Sequence, residues 1–263
     1  IGGPPCQGFS YIGRRRASDP RNMLYRHFIR LIGELRPTAY LLENVPGIMN
    51  LEGGKVFADI VAALQKLGYS VASVLVNAAT YGVPQLRTRL FVVGARDGRT
   101  VQLADGPLSP QEYVTVRAAL ADLPADVGGI APEGPFELPY AAEPGSAYAR
   151  LMRNGRSIVG NCAPTRHSEP LRARLESLRP GEIEKTTAHR RLNGQLPAWT
   201  LRAGSRTRTA CRPIHPTAPR VITIREAARL GSFPDEFWLP DHKAPAHMLI
   251  GNSVPPLLAH HLA

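Results

Sequence analysis

A chain of 263 residues that is 43% hydrophobic and 6% aromatic has apolar material for one large domain, or for one domain with a sizeable insertion. No apolar run approaches the length of a bilayer span, which excludes a helical membrane protein; no leader is visible, though a chain without its true start would have lost one. The net charge of +11 points to an anionic partner, while three scattered cysteines (Cys6, Cys162, Cys211) match no zinc spacing or disulfide framework; no metal and a reducing, cytoplasmic compartment are expected.

The chain opens on a turn, Pro4-Pro5-Cys6-Gln7-Gly8, before a helix start at Asp19-Pro20, where Pro occupies the first helical position. Met23, Leu24, Phe28, Leu31, Ile32 and Leu35 then form a helical apolar stripe that Pro37 stops. AYLLE (39–43) reads as a short buried strand ending on a carboxylate. Val56, Phe57, Ile60, Val61, Leu64 and Leu67 mark a second helix closed by Gly68, and VASVLV (71–76) and RLFVVG (89–94) are rich in β-formers. Strands separated by helices of this length imply a mainly parallel sheet with helices on both faces. Ligands gather beyond the carboxyl ends of such strands, so Glu43 and the Cys6 turn are expected to share one edge.

Residues 101–167 are rich in Pro and Gly, with one short helix near 115–123. Ser168 caps a further helix, Thr223-x-x-Glu226 is a capping box for IREAARL, and Ser253 is expected to cap a last helix. Charge is concentrated here: residues 150–229 hold 17 basic and 5 acidic side chains, a net of +12, whereas the other 183 residues net −1. Arg supplies 28 of the 32 basic residues, which suits forked contacts to phosphates and base edges better than Lys would.

Two prolines stiffen the approach to Cys6, and a turn ahead of a helix points amide dipoles at a thiolate. Glu43-Asn44-Val45-Pro46 puts a carboxylate at a strand end, and Gln85-Leu86-Arg87-Thr88-Arg89 sets Arg87 and Arg89 on one side of an extended segment. Together and in this order these segments resemble the DNA (cytosine-5) methyltransferase family. The resemblance continues through NAATYGVPQLRTRLFVVGAR (77–96), RHSEPLRARLESLRPGE (166–182), HRRLNGQLPAWTLR (189–202), HPTAPRVITIREAARLGSFPDEF (215–237) and IGNSVPPLLA (250–259).

The resemblance implies an α/β fold, a Rossmann-like methyltransferase sheet with a smaller irregular target-recognition domain. It divides the chain into a partial catalytic domain (1–100), a target-recognition domain with linker (101–220) and a return to the catalytic domain (221–263). The family's first three motifs, which build most of the cofactor site, are absent from these residues, so an N-terminally truncated chain is expected. The missing segment would lie upstream or on a separate subunit, and the fragment would be inactive alone.

The implied reaction is methyl transfer from S-adenosylmethionine to C5 of a cytosine in double-stranded DNA. Cys6 attacks C6 of the flipped base, Glu43 in its protonated form donates to N3, Arg89 holds O2 and steadies Glu43, and Arg87 shapes the site. Pro4, Pro5, Asn252 and Ser253 are the implied cofactor contacts. Gln7 and Ser10 belong to the implied mobile loop, and Arg202, Ser205, Arg206, Thr207 and Arg208 form a basic loop for phosphates and base edges. A tRNA cytosine-5 methyltransferase and a non-catalytic DNA-binding half of a split enzyme are the alternatives. A bacterial or phage origin is expected.

Overall fold

The computed structural model describes residues 1–4, 24–125, 137–203 and 213–263. Pro5, Cys6, Gln7, Ser10, the helix start at Asp19-Pro20 and the loop residues Ser205, Arg206, Thr207 and Arg208 lie outside the described residues. The chain forms two compact units, one of Ile1–Asn77 with Thr88–Asp105 and one of Ala78–Arg87 with Gly106–Ala263.

The first unit contains α1 (Leu24–Leu35), β1 (Ala39–Asn44), α2 (Lys55–Lys66), β2 (Ala72–Asn77) and, after β3 (Gln85–Leu86) of the second unit, β4 (Thr88–Ala95). Its sheet has the order β1-β4-β2, and β4 runs antiparallel to both neighbours. The mainly parallel sheet expected from the helix–strand alternation is therefore corrected among the described residues. β1 and β2, joined through α2, do run in the same direction, but β4 enters between them after a connection with no crossover helix. A parallel element survives at the chain start, where Gly2 bridges to Leu42 and its N–H and C=O bond Leu41 O and Glu43 N, each at 2.9 Å.

Alternation explains how β1 is buried: Tyr40, Leu42 and Asn44 point inward, and Tyr40 and Leu42 pack with Ile48, Ile60, Leu64, Tyr69, Leu90 and Val92. Gly94 in β4 is needed because a β-carbon there would lie 1.8 Å from Ser70 O. Bare backbone lets the loop before β2 press against the strand.

The second unit adds α3 (Val116–Leu120), β5 (Glu137–Pro139), α4 (Ala147–Arg153), β6 (Ile158–Gly160), α5 (Glu169–Glu176), β7 (Arg190–Arg191), β8 (Ala198–Trp199), β9 (Pro213–Ile214), α6 (Ile224–Leu230), α7 (Lys243–Asn252) and α8 (Pro256–Leu262). Among the described residues its strands meet only in pairs, β3 with β8, β5 with β6 and β7 with β9. Helices and loops carry the core, through Val116, Leu120, Met152, Leu192, Ile222, Ala228, Leu230 and Ile250. The capping box forms as expected: Thr223 N–H donates to Glu226 Oε2 at 2.7 Å and Glu226 N–H to Thr223 Oγ1 at 3.2 Å.

Ser253 does not start the last helix. Its N–H closes α7 on Leu249 O at 3.1 Å, and α8 begins at the second proline of Pro255-Pro256, where a missing N–H costs nothing.

The interior of this unit is unusually ionic. Arg229, fully buried, donates to Asp235 at 2.7 and 2.6 Å, to Asp122 at 3.0 and 3.1 Å and to Ala119 O at 2.9 Å. Arg220 grips both oxygens of Glu226 at 2.8 Å, and Arg225 is spread over the carbonyls of Gly160, Pro234 and Phe237. Arg191 bonds the carbonyls of Leu175, His215 and Pro216. These four arginines belong to the basic stretch but are buried, so its +12 overstates the charge offered to a partner.

Candidate functional site

The sheet of the first unit assembles the acidic part of the site. Glu43 is the fifth residue of β1, paired with Phe91 of β4, and Arg89 stands near the start of β4, opposite Val76 of β2. Arg89 Nε meets Glu43 Oε1 at 3.1 Å, with both side chains largely shielded at 13% and 16% exposure. Arg89 also donates to the Thr88 carbonyl at 2.8 Å. The backbone entering the cysteine turn passes alongside: a β-carbon on Gly3 would be 3.3 Å from Glu43 Oε2, and Asn44 Nδ2 donates to Pro4 O at 3.2 Å. Glu43, Arg89 and Pro4 are thus brought together, as their placement at one sheet end requires.

Arg87 has a different environment. It is 2% exposed and donates to Leu201 O at 3.2 Å, Gly251 O at 3.0 Å and Ser253 O at 2.9 Å, all within the second unit. Gln85, two residues earlier on the same side of the extended segment, accepts from Leu201 N–H and donates to Leu230 O, both at 3.0 Å. Both polar groups of Leu201 are therefore clamped. Gly251 completes the junction, since a β-carbon would lie 2.3 Å from Ala203 N. The clamp holds the backbone on either side of Asn252, whose own side chain is exposed at the end of α7. Ser253 Oγ donates to Ile250 O at 2.8 Å. Arg202 follows the clamped residue and is exposed.

Gln85 was legible as part of the Q-x-R-x-R spacing, yet its structural partner, residue 201, lies more than a hundred positions away and leaves no local signal. The other polar clusters are structural. Cys162 is buried, and burial pushes its thiol up to about 12, with Glu226 nearby adding to the effect, which disfavours the thiolate. Burial likewise lowers the pKa of His215, whose Nδ1 accepts the Thr217 and Ala218 N–H groups at 3.2 and 3.0 Å. Burial works to raise the pKa of Glu226, but the hydrogen bonds and charge of Arg220 outweigh it and leave the group lowered. Among the described residues no cluster has the make-up of a metal site, and no helix is long and apolar enough to cross a membrane.

Comparison with known proteins gives the chain its relatives. The chain is 38% identical to the type II methyltransferase M.XorII of Xanthomonas oryzae pv. oryzae, over 98% of its own length and 65% of the relative's. It is 32% identical to M.AgeI of Thalassovita gelatinovora, over 100% of its length and 81% of the relative's. The crystal structure of an E. coli prophage protein assigned as a DNA modification methyltransferase superposes with a TM-score of 0.82 at 34% identity, covering 99% of this chain and 76% of that one. The Schizosaccharomyces pombe Dnmt2 methyltransferase, at 15% identity and a TM-score of 0.54 over 99% of this chain and 75% of that one, shares the fold. The family model described as C-5 cytosine-specific DNA methylase matches residues 1–263. With its fold and sequence relatives in agreement, the chain belongs to the C-5 cytosine-specific DNA methylase family.

Proposed function

We propose that the protein transfers a methyl group from S-adenosylmethionine to C5 of a cytosine flipped out of double-stranded DNA. The observation that carries this reading is the shielded Arg89–Glu43 pair at 3.1 Å beside the backbone that leads into Cys6. A carboxylate and a guanidinium held together at a strand end match the two groups a cytosine ring needs, a donor at N3 and a cation at O2.

Cytosine C5 is a poor nucleophile. Addition of the Cys6 thiolate to C6 makes C5 electron-rich, and charge accumulates toward N3 and O2. Glu43 as the acid donates to N3 while Arg89 holds O2. The pair with Arg89 is made by the carboxylate, so Glu43 takes up its proton as the base enters and water leaves. Loss of the C5 proton to solvent, return of the N3 proton to Glu43 and release of Cys6 as the thiolate then restore the ring.

The exposed Asn252 amide and the Ser253 hydroxyl fit a polar cofactor, and Pro4 and Pro5 are assigned with them. When bound, S-adenosylmethionine supplies an electrophilic methyl group. Arg87 acts through the backbone around Asn252 rather than on the base. Gln7, Ser10, Arg202, Ser205, Arg206, Thr207 and Arg208 are assigned to DNA. The same motifs would serve a tRNA methyltransferase, but the relatives named type II methyltransferases at 38% and 32% identity favour DNA. They also favour a bacterial or phage protein acting in the cytoplasm.

The test uses protein expressed from its full reading frame, S-adenosylmethionine and duplex DNA carrying 5-fluorocytosine. Fluorine cannot leave as a cation, so the Cys6–C6 bond persists as an SDS-stable adduct. Cys6→Ser is expected to abolish the adduct; an adduct that survives this change refutes the assignment.

A further inference from the structure

A cleft of about 540 Å³ opens in the second unit between residues 164–167 with Arg172 of α5 and the turn 217–220. Three arginines line it, Arg166, Arg172 and Arg220, and among the described residues no carboxylate does. The three are not equivalent. Arg220 already spends its charge on Glu226, holding both carboxylate oxygens at 2.8 Å, and bonds Ala125 O at 2.6 and 3.1 Å. Arg166 and Arg172 are exposed, and Arg172 pairs with Glu169 only at 3.7 Å, a pair well open to water at 55% and 83% exposure. Such a pair is worth little, so it leaves Arg172 available to a stronger anion.

The remaining lining narrows the ligand. His167 Nε2 is occupied in accepting the Val221 N–H at 3.3 Å, and the Thr217 hydroxyl lies 3.2 Å from His215 Nδ1, which leaves Thr165 to supply a hydroxyl group. Among the described residues the lining holds no amide side chain to read a base edge, and no aromatic ring other than His167 on which a base would stack. Two guanidinium forks with a hydroxyl between walls of proline and alanine suit a tetrahedral oxyanion.

We propose that this cleft seats a phosphate of the DNA backbone, gripped by Arg166 and Arg172, and fixes the register of the duplex without reading its sequence. The inference rests on the reading of the protein as a DNA methyltransferase. It assigns a positioning role to residues that belong neither to the Cys6–Glu43–Arg89 site nor to the loop that follows Arg202.

Fluorescence anisotropy of a mixed-sequence duplex, titrated with the full-length protein at several salt concentrations, tests it. Every phosphate that the protein neutralises contributes about 0.9 to the slope of log K against log salt. The double variant Arg166→Ala/Arg172→Ala is expected to lower the slope by that amount and each single variant by part of it, with specific and mixed-sequence DNA weakened by the same factor. Both positions are exposed, so the variants keep the wild-type melting temperature. Lys66→Ala removes a like charge from α2 of the first unit and leaves the slope unchanged.

Normal DNA binding with an unchanged slope in both arginine variants overturns the cleft alone, as does an equal drop in Lys66→Ala. A saturable ATP or pyrophosphate signal, abolished in the arginine variants while the DNA slope stays the same, overturns the duplex as occupant. Failure of the wild type to bind any DNA overturns the methyltransferase reading and the cleft with it.

Discussion

Replacing Arg87 by Met isolates what the buried clamp contributes, because Met keeps most of the stem volume and removes only the guanidinium. Three carbonyls are then left without this donor: Leu201 O, Gly251 O and Ser253 O, formerly at 3.2, 3.0 and 2.9 Å. A hydrogen bond to a charged group is worth about 1.5–3 kcal/mol, but neighbouring carbonyls relax together and the individual costs do not add. A net destabilisation of about 3–4 kcal/mol is expected, since single changes rarely exceed this. In a unit of this size each kcal/mol moves the melting temperature by about 2–4 °C, so the midpoint falls by roughly 6–16 °C. Arg87→Lys, which reaches one carbonyl, lies between. Scanning calorimetry with a matched urea titration measures the change, and isothermal titration with S-adenosylhomocysteine reports whether the loosened backbone around Asn252 weakens cofactor binding. A Met variant that melts within about 2 °C of wild type would refute the clamp, whatever its activity.

Glu43→Gln is expected to slow methylation by about 10²–10⁴ while DNA affinity in the same anisotropy assay stays near wild type; parallel loss of both would make Glu43 structural. Cys162 should resist iodoacetamide in the folded protein at pH 8, because a thiol pushed up to about 12 is ionised to only about one part in ten thousand there, and labelling mass spectrometry checks it. Glu184 governs an acid limb: the Thr187 hydroxyl and N–H at 2.6 Å, with Arg174 at 3.0 Å, hold its carboxyl at about 2, so its contribution is complete above about pH 4.5 and drains away as pH falls toward 2. Glu184→Gln should therefore be less stable at pH 7 and show a flatter stability profile between about pH 5 and 2, and a profile as steep as wild type counts against this.

Local pattern alone determined where several elements begin. The apolar stripe of Val56, Ile60 and Leu64, the alternation in β1 and the Thr223–Glu226 box are each encoded by residues within one or two turns of each other, and each forms as its pattern requires. Glu43 and Arg89 lie on strands that the sequence marks, but it is the long-range pairing of β1 with β4 that brings them together. Tertiary structure alone decided the rest. β4 enters between β1 and β2 in the antiparallel sense, and Ser253 closes α7 because the prolines after it claim the next helix start. The largest difference lies in the arginines. Sign of charge is a property of one residue, whereas its availability depends on which carboxylates and carbonyls fold against it. Arg229 and Arg220 are enclosed by Asp122, Asp235 and Glu226 and hold the second unit together, while Arg166 and Arg172, alike in sequence, are left facing an open cleft.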